Sequence, residues 1–146
     1  MRKLLMHAAA FLVFAVILPP GAFAGECDSG NAKIEEANRK FAVILPTMSG
    51  MEAQSFDDIG CGVISRNGEC ATRQGMFDSN AMVHDYLSGE QIPAEKAFFV
   101  LRTNVKTPRD FGIVAFKDRA EADKFSAAHG RGRVVKWFEL VDEKLK

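Results

Sequence analysis

The amino-acid sequence predicts an α+β protein built of two ββαβ units packed against each other. Three observations carry this. Short apolar runs recur in the same order in both halves, "FAVILP" then "MEAQSF" in the first and "AFFVLR" then "GIVAF" in the second. Each second run leads through an aspartate into a helix-forming stretch, "SFDDIGC" and "AFKDRAEA". A third apolar run follows each helix, "AMVHDYL" and "RVVKWFEL". Runs of this length read as strands, and periodic stretches opened by a capping residue read as helices.

The chain opens with Arg2 and Lys3, an apolar stretch from Leu4 to Leu18, the breakers Pro19, Pro20 and Gly21, and the small-residue triplet Ala22-Phe23-Ala24. That is the pattern of a secretory signal occupying residues 1–24, cut before Gly25, and its apolar part is short for a membrane span. Glu26 stands immediately before Cys27, where lipid attachment requires a small residue, so the expectation is a soluble exported protein without a membrane span. About 120 residues then remain, enough for one compact domain or two small units with a shared core.

Residues 25–40 read as a loose, polar leader with a short helix through "AKIEEANRK". The first unit, residues 41–96, starts with the buried strand at Phe41 and turns at "TMSG" into a hairpin. Asp57 is expected to cap a helix over Asp58 to Ile64, ended at Gly68, and "AMVHDYL" supplies the next strand. The second unit, residues 97–146, repeats this order. "TNVKTPRD" is the polar loop between its first two strands. Asp118 with Glu121 three residues later forms a capping-box pattern, Ala122 and Phe125 share a helix face, and Gly130 terminates the helix before a last strand at "RVVKWFEL". A hairpin with one helix buries little apolar surface, so the two units must share a core, with Phe56 and Phe116 buried at matching positions.

Composition excludes several functions. Nineteen basic and nineteen acidic residues give a formal charge of zero, and the basic residues are interleaved with acidic ones, which argues against nucleic acid. The letters Asp110-Phe111-Gly112 occur in kinase metal loops, but the chain has neither a Gly-rich phosphate loop nor an H-R-D loop. No Ser or Cys stands with a His and an acid at a recognisable motif spacing, so no enzyme is indicated.

The blocks "SFDDIGC", "VHDYLSGEQIPAEKAFFV" and "FGIVAFKDRAEADKFSAAHG" resemble corresponding segments of the NosL family, accessory proteins of nitrous oxide reductase. The resemblance spans roughly Phe41 to Leu140. It implies a fold of two ββαβ units like those of organomercurial lyase, and an exported metallochaperone that binds Cu(I) and delivers it to an exported copper enzyme or its maturation machinery. Members of that family carry Cys-Gly-Met near the mature N-terminus and often Pro-Met-Gly-His before the "VAF"-like strand. This chain has "CDSGN" at the first place, keeping Cys27, and "TPRDFG" at the second, with Arg109 and Phe111 where methionine and histidine would stand. A module of the same fold that has lost copper and serves as a scaffold is the alternative.

Cu(I) selects thiolate, thioether and imidazole donors. Met82 and His84 lie two apart on a strand and so share a face. Met48 and Met51 flank the first hairpin turn. Cys27 supplies a thiol on the leader. These five residues, Cys27, Met82, His84, Met48 and Met51, are the candidate copper ligands, the first three being the most economical set. His129 ends a helix, where it complements the dipole, and Tyr86 and Trp137 read as packing residues. Three cysteines permit one internal pair; Cys61 with Cys70 is one possibility, leaving Cys27 free, and a thiol redox role for that pair lacks a Cys-x-x-Cys motif.

Overall fold

The computed structural model describes residue 27, residues 30–46 and residues 53–145. The expected signal segment, its cleavage point before Gly25, and Met48 and Met51 lie outside the described residues. The fold is α+β. In the first half, β1 (Val43–Leu45) pairs antiparallel with β2 (Gln54–Phe56); α1 (Ile59–Asn67) and α2 (Ala71–Asn80) follow, then β3 (Met82–His84) and β4 (Gln91–Pro93). In the second half come β5 (Phe98–Val100), β6 (Val114–Phe116), α3 (Arg119–Ala128), β7 (Val134–Val135) and α4 (Trp137–Val141). The described strands form two sheets, ordered β2-β1-β3-β4 and β6-β5-β7. In each half the first strand lies between the next two, and the first sheet carries β4 as a further edge strand beyond β3.

The helix starts follow from capping. Asp58 accepts the Gly60 N–H at 3.0 Å, and Asp118 accepts the N–H groups of Ala120 and Glu121 at 2.8 and 3.2 Å. These satisfy donors that the first turn of a helix cannot pair internally. In the first helix the cap is therefore Asp58, one residue later than the sequence suggests, because Asp57 turns outward to Arg109.

Four elements depart from the sequence reading, the first being β4, an edge strand on β3 where the sequence reading had none. Helix α2 had no helical signal because among its residues only Phe77 and Asp78 are buried; it is held by Phe77 in the core and by Asp78, which accepts hydrogen bonds from Arg66 and from the buried Trp137 indole at 2.8 Å. The expected last strand stops at Val135, since Lys136 N–H donates to the Glu139 carboxylate at 2.8 Å and starts α4, which carries Trp137 onto Phe99. The short helix before β1 is a 3-10 helix, Glu36–Phe41, which takes Phe41 out of the strand.

One core unites the halves. Val43, Phe56, Cys61, Val63, Phe77 and Val83 meet Phe99, Ile113, Ala115 and Trp137 from the second half. A second cluster under α3 joins Phe116, Ala122 and Phe125 to Phe41, with Tyr86 packed against them. Both Phe56 and Phe116 are buried as expected. The sheets are also stitched through polar groups: Tyr86 N–H donates to Ala115 C=O at 2.8 Å, and Lys117 N–H donates to the Asp85 carboxylate at 2.9 Å.

Candidate metal centre

The first strand-to-helix junction gathers segments that are far apart in sequence. Phe56 points into the core and Asp58, fully buried, receives three donors: Gly60 N–H, Thr107 Oγ1–H at 2.6 Å and Arg109 N–H at 3.0 Å. Arg109 Nε donates to Asp57 at 3.2 Å, and Thr107 Oγ1 accepts the Gly112 N–H at 3.2 Å. The loop between β5 and β6 is thus fastened to the start of α1. Burial pushes the Asp58 carboxyl above its ordinary range; the hydrogen bonds from Thr107, Arg109 and Gly60 oppose this, and the charge of Asp57 adds to it.

Phe111 packs its ring directly on Gly60, so closely that a methyl group there would overlap it. Cys61, the next residue, is bonded to Cys27. Cys27 and Phe111 both lie partly buried against the same core. Beyond Cys27, the chain adds a short parallel pairing to the sheet edge: Ser55 N–H donates to Gly30 C=O at 2.8 Å and Ala32 N–H to Ser55 C=O at 3.0 Å. The described part of the leader is anchored rather than loose.

The cysteine expectation is corrected accordingly. Cys61 sits in the first turn of α1 facing the core, whereas Cys70 caps α2 beyond the far end of α1 and is exposed. The eight residues between them, mostly helical, set them roughly 13 Å apart along the axis, too far for a disulfide. Cys27 is therefore not the free thiol of the molecule; Cys70 is.

Met82 and His84 share a face of β3, but not the face that carries α1. Between them Val83 points into the core with Val43, its partner in register, and alternation sends Met82 and His84 the other way. His84 lies under the 3-10 helix, almost wholly buried, and its Nδ1 has no hydrogen-bond partner. Burial lowers its pKa; a backbone hydrogen bond at Ala42 works against this, the charge of Arg39 reinforces it and that of Glu36 opposes it. Met82 is half-buried beside Ile44 and Pro93. The three-residue set of Cys27, Met82 and His84 is thus split between two sides of the first sheet. No group of three or more His, Cys, Asp or Glu side chains able to hold a metal occurs among the described residues. His129 stands at the end of α3 as expected, stacked on Phe125 at 4.1 Å with Nδ1 3.2 Å from Asn104 Oδ1.

The structure brings Cys27, through its bond to Cys61, to the same helix turn on which Phe111 of the 109–111 loop packs, and these are the two places where the resemblance puts family ligands. Asp58, Gly60 and Thr107, which build that junction, escaped the sequence reading. The one available signal was an aspartate with two possible partners at a strand-to-helix step. In the oxidised form the junction offers no thiolate, and neither Arg109 nor Phe111 is a soft donor. Reduction frees two thiols at one point, that of Cys61 buried in the core.

The family model described as NosL matches residues 65–145. The chain is also similar to a solved structure, the copper chaperone NosL from Shewanella denitrificans, with 20% identity and a TM-score of 0.55 over 67% of this chain and 76% of that one. No curated protein matches. No described helix is long and apolar enough to cross a membrane.

Proposed function

From the NosL family, to which this chain belongs, we propose an exported copper carrier, not a catalyst, that takes Cu(I) on the sulfurs of Cys27 and Cys61 and passes it to a copper enzyme of the nitrous oxide reductase type or to its maturation machinery. The observation that carries this reading is the bond of Cys27 to Cys61 in the first turn of α1, next to Gly60, on which Phe111 of the 109–111 loop packs. Cys27 comes from the leader and the loop from the other half of the chain, yet both reach one junction. Two electrons and two protons from an exported dithiol reductant open the disulfide, and Cu(I) then replaces the thiol protons. Thiolate sulfur is the donor that Cu(I) prefers.

Competition against a Cu(I) chelator without oxygen tests this. The reduced protein is expected to bind one ion and the oxidised protein none. Cys27→Ser and Cys61→Ser should each weaken binding at least tenfold, about 1.4 kcal/mol, while His84→Ala leaves it unchanged. Loss of binding in His84→Ala with Cys27→Ser unaffected would move the ion to Met82 and His84, with Met48 and Met51 as further donors. A second reading is a scaffold that has given up copper; it is favoured by the Arg109–Asp57 contact and the Phe111 ring, which put groups without soft donors into the junction. Failure of the reduced wild type to compete selects it. Export predicts a mature chain starting at Gly25 without lipid, read by N-terminal mass.

A further inference from the structure

A cleft of about 280 Å³ lies where the chain leaves β5 and where α3 hands over to β7. Arg102, Arg131 and Arg133 line it together with Glu143. Arg133 is paired with Glu143. The side chains of Arg102 and Arg131, both exposed, have no ion pair or hydrogen bond among the described residues, so two of the three arginines lining the cleft lack a carboxylate partner there.

The backbone makes these two arginines unusual. Arg102 and Arg131 both have φ of +55°, and Asp110 is the one other non-glycine residue with positive φ among the described residues. A side chain in this region crowds the carbonyl beside it, and glycine or asparagine is the inexpensive occupant. Strained residues that persist in pairs around one concavity point to a use for their side chains. The walls are also fixed. Gly132 lies against the Leu101 carbonyl with no room for a Cβ, Leu101 N–H donates to Arg133 C=O at 3.0 Å, Arg131 N–H to Ser126 C=O at 2.8 Å and Asn104 N–H to His129 C=O at 3.1 Å.

We propose that this cleft binds clustered oxyanions through Arg102 and Arg131, with Arg133 as a third donor shared with Glu143. Planar guanidinium groups match carboxylate and phosphate oxygens in pairs. The cleft continues into a second one of about 400 Å³ that shares Leu101, Arg102 and Glu143, adds Lys144 and Asp110, and ends at Phe111. An acidic segment of a partner protein laid along both would reach the junction of Cys27 and Cys61. A free polyvalent anion would occupy the first cleft alone. The inference does not depend on copper.

Calorimetric titration of the full chain at low ionic strength, with citrate, inorganic phosphate, an oligoglutamate peptide and an oligoglutamine control, tests it. Binding of the anionic probes that weakens with added salt is expected, with none for oligoglutamine. Citrate or phosphate binding without oligoglutamate identifies a small anion as the ligand, and tighter oligoglutamate binding identifies a partner segment. Arg102→Gly and Arg131→Gly should each lower affinity at least tenfold while holding or raising the melting temperature, because glycine relieves the backbone there. The proposal is overturned if no anionic probe binds, if the glycine variants bind like wild type, or if they melt well below it, which would make the arginines structural.

Discussion

At Phe56-Asp57-Asp58 and at Phe116-Lys117-Asp118 the chain leaves a strand on a buried phenylalanine and enters a helix capped by an aspartate two residues on. The second cap is exposed and binds only its own helix, through Ala120 and Glu121 N–H. The first is fully buried and also takes Thr107 and Arg109 from the other half. Three residues beyond the caps stand Cys61 in one helix and Glu121 in the other. The difference teaches that one local motif becomes a tie between units once its carboxylate is removed from water, because a buried carboxylate must collect every donor within reach. The junction turned into a tie is also the one that holds the disulfide and the loop with Arg109 and Phe111.

The largest expected effect tests what the junctions share. Phe56→Ala and Phe116→Ala should each cost about 3–5 kcal/mol in urea unfolding, since both rings are buried in clusters that draw on both halves. A cost at one position only would break the parallel.

Next comes what only the first junction has. The Cys27–Cys61 bond closes a loop with a sequence separation of 34, for which chain entropy gives about 4 kcal/mol. Melting with and without reductant measures it, and equal melting temperatures would show that the cross-link stabilises nothing.

The caps themselves should differ. Asp58→Ala leaves Thr107 and the N–H groups of Arg109 and Gly60 without their acceptor and should cost about 2–3 kcal/mol. Asp118→Ala, exposed, should cost about 1 kcal/mol. Similar losses in chemical denaturation would mean that burial adds nothing to the first cap.

The smallest effect is in pH, between the two buried carboxylates that tie the halves. Burial raises the pKa of Asp58, so its contribution to stability is present below the ordinary aspartate value of 3.8 and is lost as pH rises through the higher folded value. At Asp85 burial pulls in the same direction, but hydrogen bonds from Ser88 and Lys117 N–H and the Lys117 charge outweigh it and lower the pKa. Its contribution is present above 3.8 and lost as pH falls through the depressed value. Urea midpoints against pH should show Asp58→Asn gaining on wild type as pH rises past this range and Asp85→Asn flattening the acid limb. Curves parallel to wild type in both variants would remove the distinction.

The sequence by itself determined what depends on neighbours a few residues apart. Short apolar runs marked β1, β5 and β6, the aspartates marked the starts of α1 and α3, and the order of these signals made the fold α+β with a repeated unit, because run length, helix period and capping are all local properties of the chain. It placed Met82 and His84 on one face correctly for the same reason. Helix α2 was hidden because Phe77 and Asp78 bury themselves against partners in α1 and α4 rather than through a periodic stripe. Only the tertiary structure decided that Cys27 reaches Cys61, that His84 faces away from both, and that Arg102 and Arg131 converge on one cleft. Each of these depends on the path of backbone segments many residues apart, such as the leader running beside Ser55 or the β5–β6 loop fastened to Asp58, and the pairing of distant segments is set by shared burial and hydrogen-bond satisfaction that no local pattern encodes.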